Sequence, residues 1–246
     1  MINNGAGLKR LIVNADDFGL SAGVNRGIID CAERGIVTST SLMVRQRAAA
    51  PAAEYAQHHR AISVGLHVDL GEWIYSHGNW IHVDIVVPMD DEQAVRREVR
   101  RQVEEFRRLV RRDPSHLDSH QHVHRNEPVR SELLIIGREL GIPVREFSEV
   151  KYCGDFYGQD GEGRPLPDVI SDHGLGMILG RLEAEVTELG CHPGYLEDLS
   201  SVYREERQDE IKVLCGAGIR DVLDSLAIRL CSFAEVTLLS HARNQS

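Results

Sequence analysis

The chain has 246 residues, 42% of them apolar and 27% charged, with a formal net charge of −10 at pH 7. That is the balance of an ordinary soluble globular protein, and its acidity argues against a nucleic-acid or anionic-membrane partner, because both want a basic patch. No apolar stretch approaches the roughly 18 residues needed to span a bilayer.

The N-terminal "MINNGAGLKR" has no apolar core of a secretory signal, so the expected compartment is the cytoplasm. Residues 10–15 read as a short buried strand. "SAGVNRGIIDCAERG" follows as a helix, with Ser21 as its cap, Val24, Ile28 and Ala32 on one face, and Gly35 as its stop. "VTSTSLMV" is β-rich. "AAAPAAEYAQHH" is helix-like, with Pro51 tolerable only in the first turn. "AISVGLHVDL" is a strand. Residues 91–112 form a long charged helix with an apolar stripe of Val95, Val99, Val103 and Phe106 and a solvated opposite face. "SHLDSHQHVH" alternates as a strand, "EPVRSELLIIGRELG" is a helix ending at Gly141, and "IPVREF" reads as another strand. "CGDFYGQDGEGRPLPD" is a Gly/Pro-rich loop. Residues 172–183 are helical, "AEVTELGCHPG" is a strand running into a turn, 203–214 and 217–228 are two helices, and "RLCSFAEV" is a last strand. Five scattered cysteines, without a C-x-x-C pair, read as reduced thiols filling the core.

Repeated strand–helix units predict an α/β fold, a mostly parallel sheet covered by helices, as a single domain over residues 8–240. "NADDFG" after the first strand is neither G-x-G-x-x-G nor a P-loop, which favours an irregular TIM-like (β/α) barrel. Functional residues then belong at the C-terminal ends of strands.

Four segments place unusual polar residues at such ends: Asp16-Asp17, His67 in "VGLHVDL", His120-x-His122-x-His124, and His192 in "CHPG". Two adjacent carboxylates at the end of a buried strand repel each other and lose hydration, so something must compensate them. A divalent cation would, and one Asp with two His from different strands is a catalytic ligand set. Alternation sends Asp16 and Asp17 to opposite faces, but Phe18-Gly19 suggests a bend that turns both to one pocket. Asp17 would then bind metal and Asp16 stay free as a base. Each segment has a bland reading: a D-D pair can be a solvated turn, His67 a hydrogen-bonded core residue, His192 a turn cap. Period-two spacing puts the three histidines of H-x-H-x-H on one face of a strand, where some would only support or meet solvent. The conjunction of four segments carries the argument.

"LIVNADDFGLSAGVNRGI", "GIVTSTSLMV", "VGLHVDLG", "HLDSHQHVH" and "CHPG", in this order over residues 8–235, resemble the YdjC-like family of carbohydrate deacetylases, which includes the chitooligosaccharide deacetylases. The resemblance implies an irregular (β/α) barrel, one divalent metal ion (magnesium or zinc), and hydrolysis of the N-acetyl group of an amino sugar or short oligosaccharide. It places Asp17, His67 and His120 as metal ligands, Asp16 as catalytic base and His192 as general acid, and leaves His122 and His124 outside the ligand set. The expected partner is a small N-acetylated saccharide, with no nucleic acid and no membrane; a homodimer is the base-rate expectation.

Substrate-binding candidates are Trp73 and Trp80, the only two tryptophans, both within residues 71–84. Their rings suit the apolar faces of a sugar, though interface Trp would read the same. Arg145 at the end of "IPVR" could reach a substrate hydroxyl or pair with a carboxylate; His124 and Tyr195 complete the candidates. Two competing readings remain: another metal hydrolase on a similar barrel (amidohydrolase or phosphoesterase), which usually shows H-x-H on the first strand, and a non-catalytic sugar-binding relative, which needs neither Asp16 nor His192.

Overall fold

The computed structural model describes residues 8–199 and 201–243. Its first strand, β1 (Lys9–Phe18), is buried from Leu11 onward. Parallel strands are covered on both faces, so they read as continuous apolar runs. The other strands are β2 (Ser39–Leu42), β3 (Ser63–Val68), β4 (Gly71–Ser76), β5 (Asn79–Ile85), β6 (Leu117–Ser119), β7 (Lys151–Cys153), β8 (Val186–Cys191) and β9 (Ile228–Leu230). Seven of them form one parallel sheet in the order β6-β3-β2-β1-β8-β7, with β9 beside the start of β1. The sheet curls into a half-barrel, an irregular (β/α) barrel fold. β4 and β5 stand apart as an antiparallel hairpin.

Parallel pairing needs crossovers, supplied by helices: α1 (Ala22–Glu33), α2 (Ala49–His58), α3 (Glu92–Val110), α4 (Val129–Leu140), α5 (Asp172–Gly180), α6 (Glu205–Leu214), α7 (Ala217–Ser225) and α8 (Phe233–Arg243). Their ends follow local chemistry. Ser21 accepts from the Val24 N–H at 3.1 Å, Asp91 from the Ala94 N–H at 2.9 Å, and Gly141 closes α4 at φ 66°. Pro51 falls in the first turn of α2. Val95, Val99, Val103 and Phe106 of α3 are buried, as their spacing predicts. At Gly27 of α1 an added Cβ would lie 2.6 Å from the Gly194 Cα, so a bare backbone lets the segment after β8 seat against this helix. No helix among the described residues is long and apolar enough to cross a membrane.

Four expectations change. The strand of "SHLDSHQHVH" stops at Ser119; residues His120–Arg125 form a 3-10 helix in which Gln121 and His122 take left-handed φ of 48° and 55°. The three histidines therefore do not share a strand face. "IPVREF" gives only a bridge between Val144 and Leu117, because Pro143 lacks the N–H that a longer ladder needs. A short strand not expected from the sequence, Lys151–Cys153, runs into the start of the segment read as a loop and pairs with β8. "RLCSFAEV" is strand only to Leu230, and Phe233 opens α8.

Candidate active site

β1 ends in a distortion. Asp17 has φ 68°, and the pairing with β2 shifts register between Ala15 and Phe18. A non-glycine residue in this region costs about 1–2 kcal/mol. The result is that two consecutive carboxylates, which regular alternation would separate, both line one cavity of about 970 Å³. Small-molecule sites span about 300–1,000 Å³.

Asp17 Oδ1 lies 3.4 Å from His67 Nε2 and 3.2 Å from His120 Nδ1. β3 supplies His67 and the residue after β6 supplies His120. These three side chains offer ligand atoms within 4.8 Å of one another. The remaining nitrogens are held by carboxylates: His67 Nδ1 is 2.8 Å from Asp118 Oδ1, and His120 Nε2 is 2.8 Å from Glu72 Oε2. Such outer partners fix ring orientation and tautomer and raise the basicity of the ligating nitrogen. One carboxylate oxygen and two imidazole nitrogens, converging and buttressed, fit a divalent cation.

The charge is compensated before any cation binds. Arg145 reaches Asp16 through two bonds of 2.7 Å, Glu188 at 2.6 Å and Asp118 at 2.8 Å. Arg207 donates to Asp17 Oδ2 at 2.6 Å. Burial by itself would raise the Asp16 carboxyl; the Arg145 guanidinium overrides it and holds Asp16 well below the usual carboxylate range. Burial opposes Asp17 in the same way, and Arg207 with the two imidazoles keeps it ionised. Glu188 is pushed up to about 7 by burial, with Arg145 opposing.

The imidazoles divide. Burial disfavours charge on both His67 and His120, but Asp118 and Asp16 raise His67 well above its ordinary value, and bonds to Asp17 and Glu72 raise His120 to about 9. An incoming cation must therefore displace protons. Cation affinity is expected to rise as pH increases, by up to about tenfold per unit for each proton displaced, and to rise less steeply above about pH 9, where metal-free His120 is already neutral. Calorimetric titration in buffers of different ionisation enthalpy checks this; proton-independent binding would contradict it.

His192 follows β8, its Nε2 3.8 Å from Asp16 Oδ2. Burial lowers it to about 4, so the ring is neutral. Asp16 and His192 thus stand beside this triad without belonging to it, while Asp16 with His67 and Asp118 forms an overlapping cluster whose ligand atoms also lie within 4.8 Å of one another.

A second group, His122, His124 and Glu146, also has ligand atoms within 4.8 Å. Arg125 forks onto both Glu146 oxygens. Burial, then Arg145, lowers His122 to about 3 and His124 to about 4. That positive surrounding disfavours a second cation.

The substrate candidates fare unevenly. Trp73 lines the cavity. Its backbone N–H donates to Gln121 Oε1 at 2.9 Å, and its carbonyl accepts from Gln121 Nε2 at 2.7 Å. The Trp80 side chain lies outside the described residues. Arg145 is 2% exposed and off the cavity wall, because its fork is consumed by three carboxylates. His124 is fully buried, with Nδ1 at 2.7 Å from Ser119 Oγ. Tyr195 points away, its hydroxyl donating to Asp30 at 2.6 Å. Missed altogether were Asp118, Glu188, Glu72, Arg207 and Glu210. Asp118 had a signal: two residues before His120, it shares that side of the strand's approach.

The sequence model of YdjC-like proteins matches residues 10–225. The chain belongs to the YdjC-like family. Among YdjC-like relatives, it is 28% identical to the carbohydrate deacetylase of Brevibacillus brevis over 260 residues, covering 92% of this chain and 99% of that one. It is 29% identical to the chitooligosaccharide deacetylase of Klebsiella pneumoniae subsp. pneumoniae, covering 92% and 98%. A solved Enterococcus faecalis V583 protein, described as a cellobiose-phosphate cleavage protein, superposes with a TM-score of 0.73 at 25% identity, covering 93% and 98%. Four of the five segments quoted from the sequence contribute residues to this cavity, and in the fifth, "GIVTSTSLMV", Ser41 stands behind it within 3.4 Å of Asp16 and 3.2 Å of His67.

Proposed function

We propose that this chain is a metal-dependent hydrolase that removes the N-acetyl group from an N-acetylated amino sugar or short oligosaccharide, of the N-acetylglucosamine or diacetylchitobiose type, and releases acetate. The observation that carries this reading is the pairing of the Asp17–His67–His120 triad with an ionised Asp16 and a neutral His192 outside it. The deacetylase names of the relatives support it.

Magnesium or zinc held by Asp17, His67 and His120 would polarise the acetamide carbonyl and make a water at the site more acidic. Asp16, oriented by Arg145 and by the Asn14 amide at 2.8 Å, accepts the proton of the attacking water. His192 is the adjacent acceptor, and its ring returns the proton to the departing nitrogen, which could not leave as an amide anion. One proton thus moves from water to amine through two side chains, so neutral His192 is the competent resting form. Trp73 on the hairpin offers a face for stacking a sugar ring.

The test is an acetate-release screen over N-acetylated mono- and disaccharides with each metal. Metal-loaded protein that releases acetate from none of them would overturn the reading. His192→Ala should slow acetamides by about 10²–10⁴-fold but activated acetate esters far less, since their leaving groups need no proton; equal losses would remove His192 from this role.

A further inference from the structure

Three residues around α6 surround His192: Tyr203 and Arg207 on the cavity wall and Glu210 behind it. Arg207 and Glu210 are spaced i, i+3 on α6, which puts them on one side of the helix, and Tyr203 lies in the bend just before it. Glu210 is fully buried. One of its oxygens accepts the His192 backbone N–H and the other accepts the Tyr203 hydroxyl. Tyr203 in turn accepts the Gly158 N–H at 3.0 Å and sets its ring edge-on to His192, with centroids 5.7 Å apart. Arg207 donates to the His192 carbonyl at 3.3 Å and to Asp17 at 2.6 Å. The His192 ring itself has no such tether, for its Nδ1 is buried without a partner among the described residues. Its place is therefore set by its backbone and by the rings beside it.

We propose that Glu210 is a positioning residue for His192: with Tyr203 it fixes where the His192 backbone leaves β8, and so fixes the reach of the imidazole to Asp16 and to the departing nitrogen. A buried carboxyl group, pushed up to about 8 by burial, is costly to keep, and Glu210 neither lines the cavity nor joins the Asp17–His67–His120 group. Its two oxygens are spent on His192 and on the tyrosine that flanks it. The inference rests on the deacetylase reading, and a residue acting only through His192 must lose its effect once His192 is gone.

That is the test. In the full chain with zinc bound, Glu210→Gln removes one of the two acceptors with little change of shape. It should lower kcat on an N-acetylated disaccharide by about 10–100-fold, the scale of a misplacement near 1 Å, with KM and zinc stoichiometry unchanged. In a His192→Ala background the same change should alter the residual rate by less than about twofold, as a shared pathway demands. Equal factors in both backgrounds, or loss of zinc with the activity, would overturn the proposal. Tyr203→Phe keeps the ring and loses only the hydroxyl. It should follow the same pattern with a drop of about 2–10-fold, and it decides the matter alone if Glu210→Gln does not fold. Absence of acetate release from the unaltered protein would overturn the deacetylase reading and this role with it; release with equal factors would overturn the role of Glu210 alone.

Discussion

Asp16→Asn is expected to lower the rate of acetate release by about 10²–10⁴-fold while the protein keeps its cation. The asparagine side chain is nearly the same shape but cannot take a proton. Asp16 contributes no atom to the Asp17–His67–His120 triad, so the metal count measured by elemental analysis should stay at that of the unaltered protein. Arg145 retains Glu188 and Asp118, so the buried guanidinium is not stranded. The variant should melt at a temperature close to that of the parent. A near-normal turnover would remove Asp16 from the role of base; loss of the metal would move it into the ligand set.

His67→Ala should abolish metal and activity together. The ring supplies a ligand nitrogen on one side and holds Asp118 on the other. Loss of an outer partner alone commonly costs 10–100-fold in affinity, and removal of the ligand itself should exceed about 100-fold on that scale. A metal titration followed by the acetate assay at saturating metal checks both parts. Full activity at the parent's metal concentration would show that His67 is not a ligand. The change also opens a void beside buried Asp118, so a lowered melting temperature is expected with or without metal.

Much of this architecture is legible in the chain. Apolar runs, the Ser21 cap, Gly141 and the α3 stripe mark elements that depend on neighbours within a few residues, and these are found where the pattern puts them. Asp17 and His67 stand out because each lies at the end of an apolar strand, where a polar residue has no packing reason to stand, and His120 stands out by the H-x-H-x-H spacing it opens. Arg145 is legible only as a residue that could pair with a carboxylate; Glu188, Arg207 and Glu210 are not legible, because the site groups they hold, Arg145, Asp17 and His192, lie 15 to 190 residues away along the chain. The sequence reading therefore assigns compensation of Asp16 and Asp17 to a cation alone. In the structure each carboxylate already has its own guanidinium, and the metal is left with only part of that work. H-x-H-x-H misleads for a different reason: period-two spacing implies a shared face only while the backbone stays extended, and Gln121 and His122 leave that region.

The β4–β5 hairpin adds a last point. A two-stranded ribbon has little stability by itself, and its outward residues Ile81, Val83 and Ile85 are exposed. It is tied down by Glu72 at His120 and by the Gln121–Trp73 bonds, not by the central sheet. Mutations along its outer strand can therefore drift with little penalty to folding, while those at its root disturb the seating of His120. Trp73 sits at that same root, so a change to the aromatic wall of the cavity and a change to the support of His120 are expected to come together.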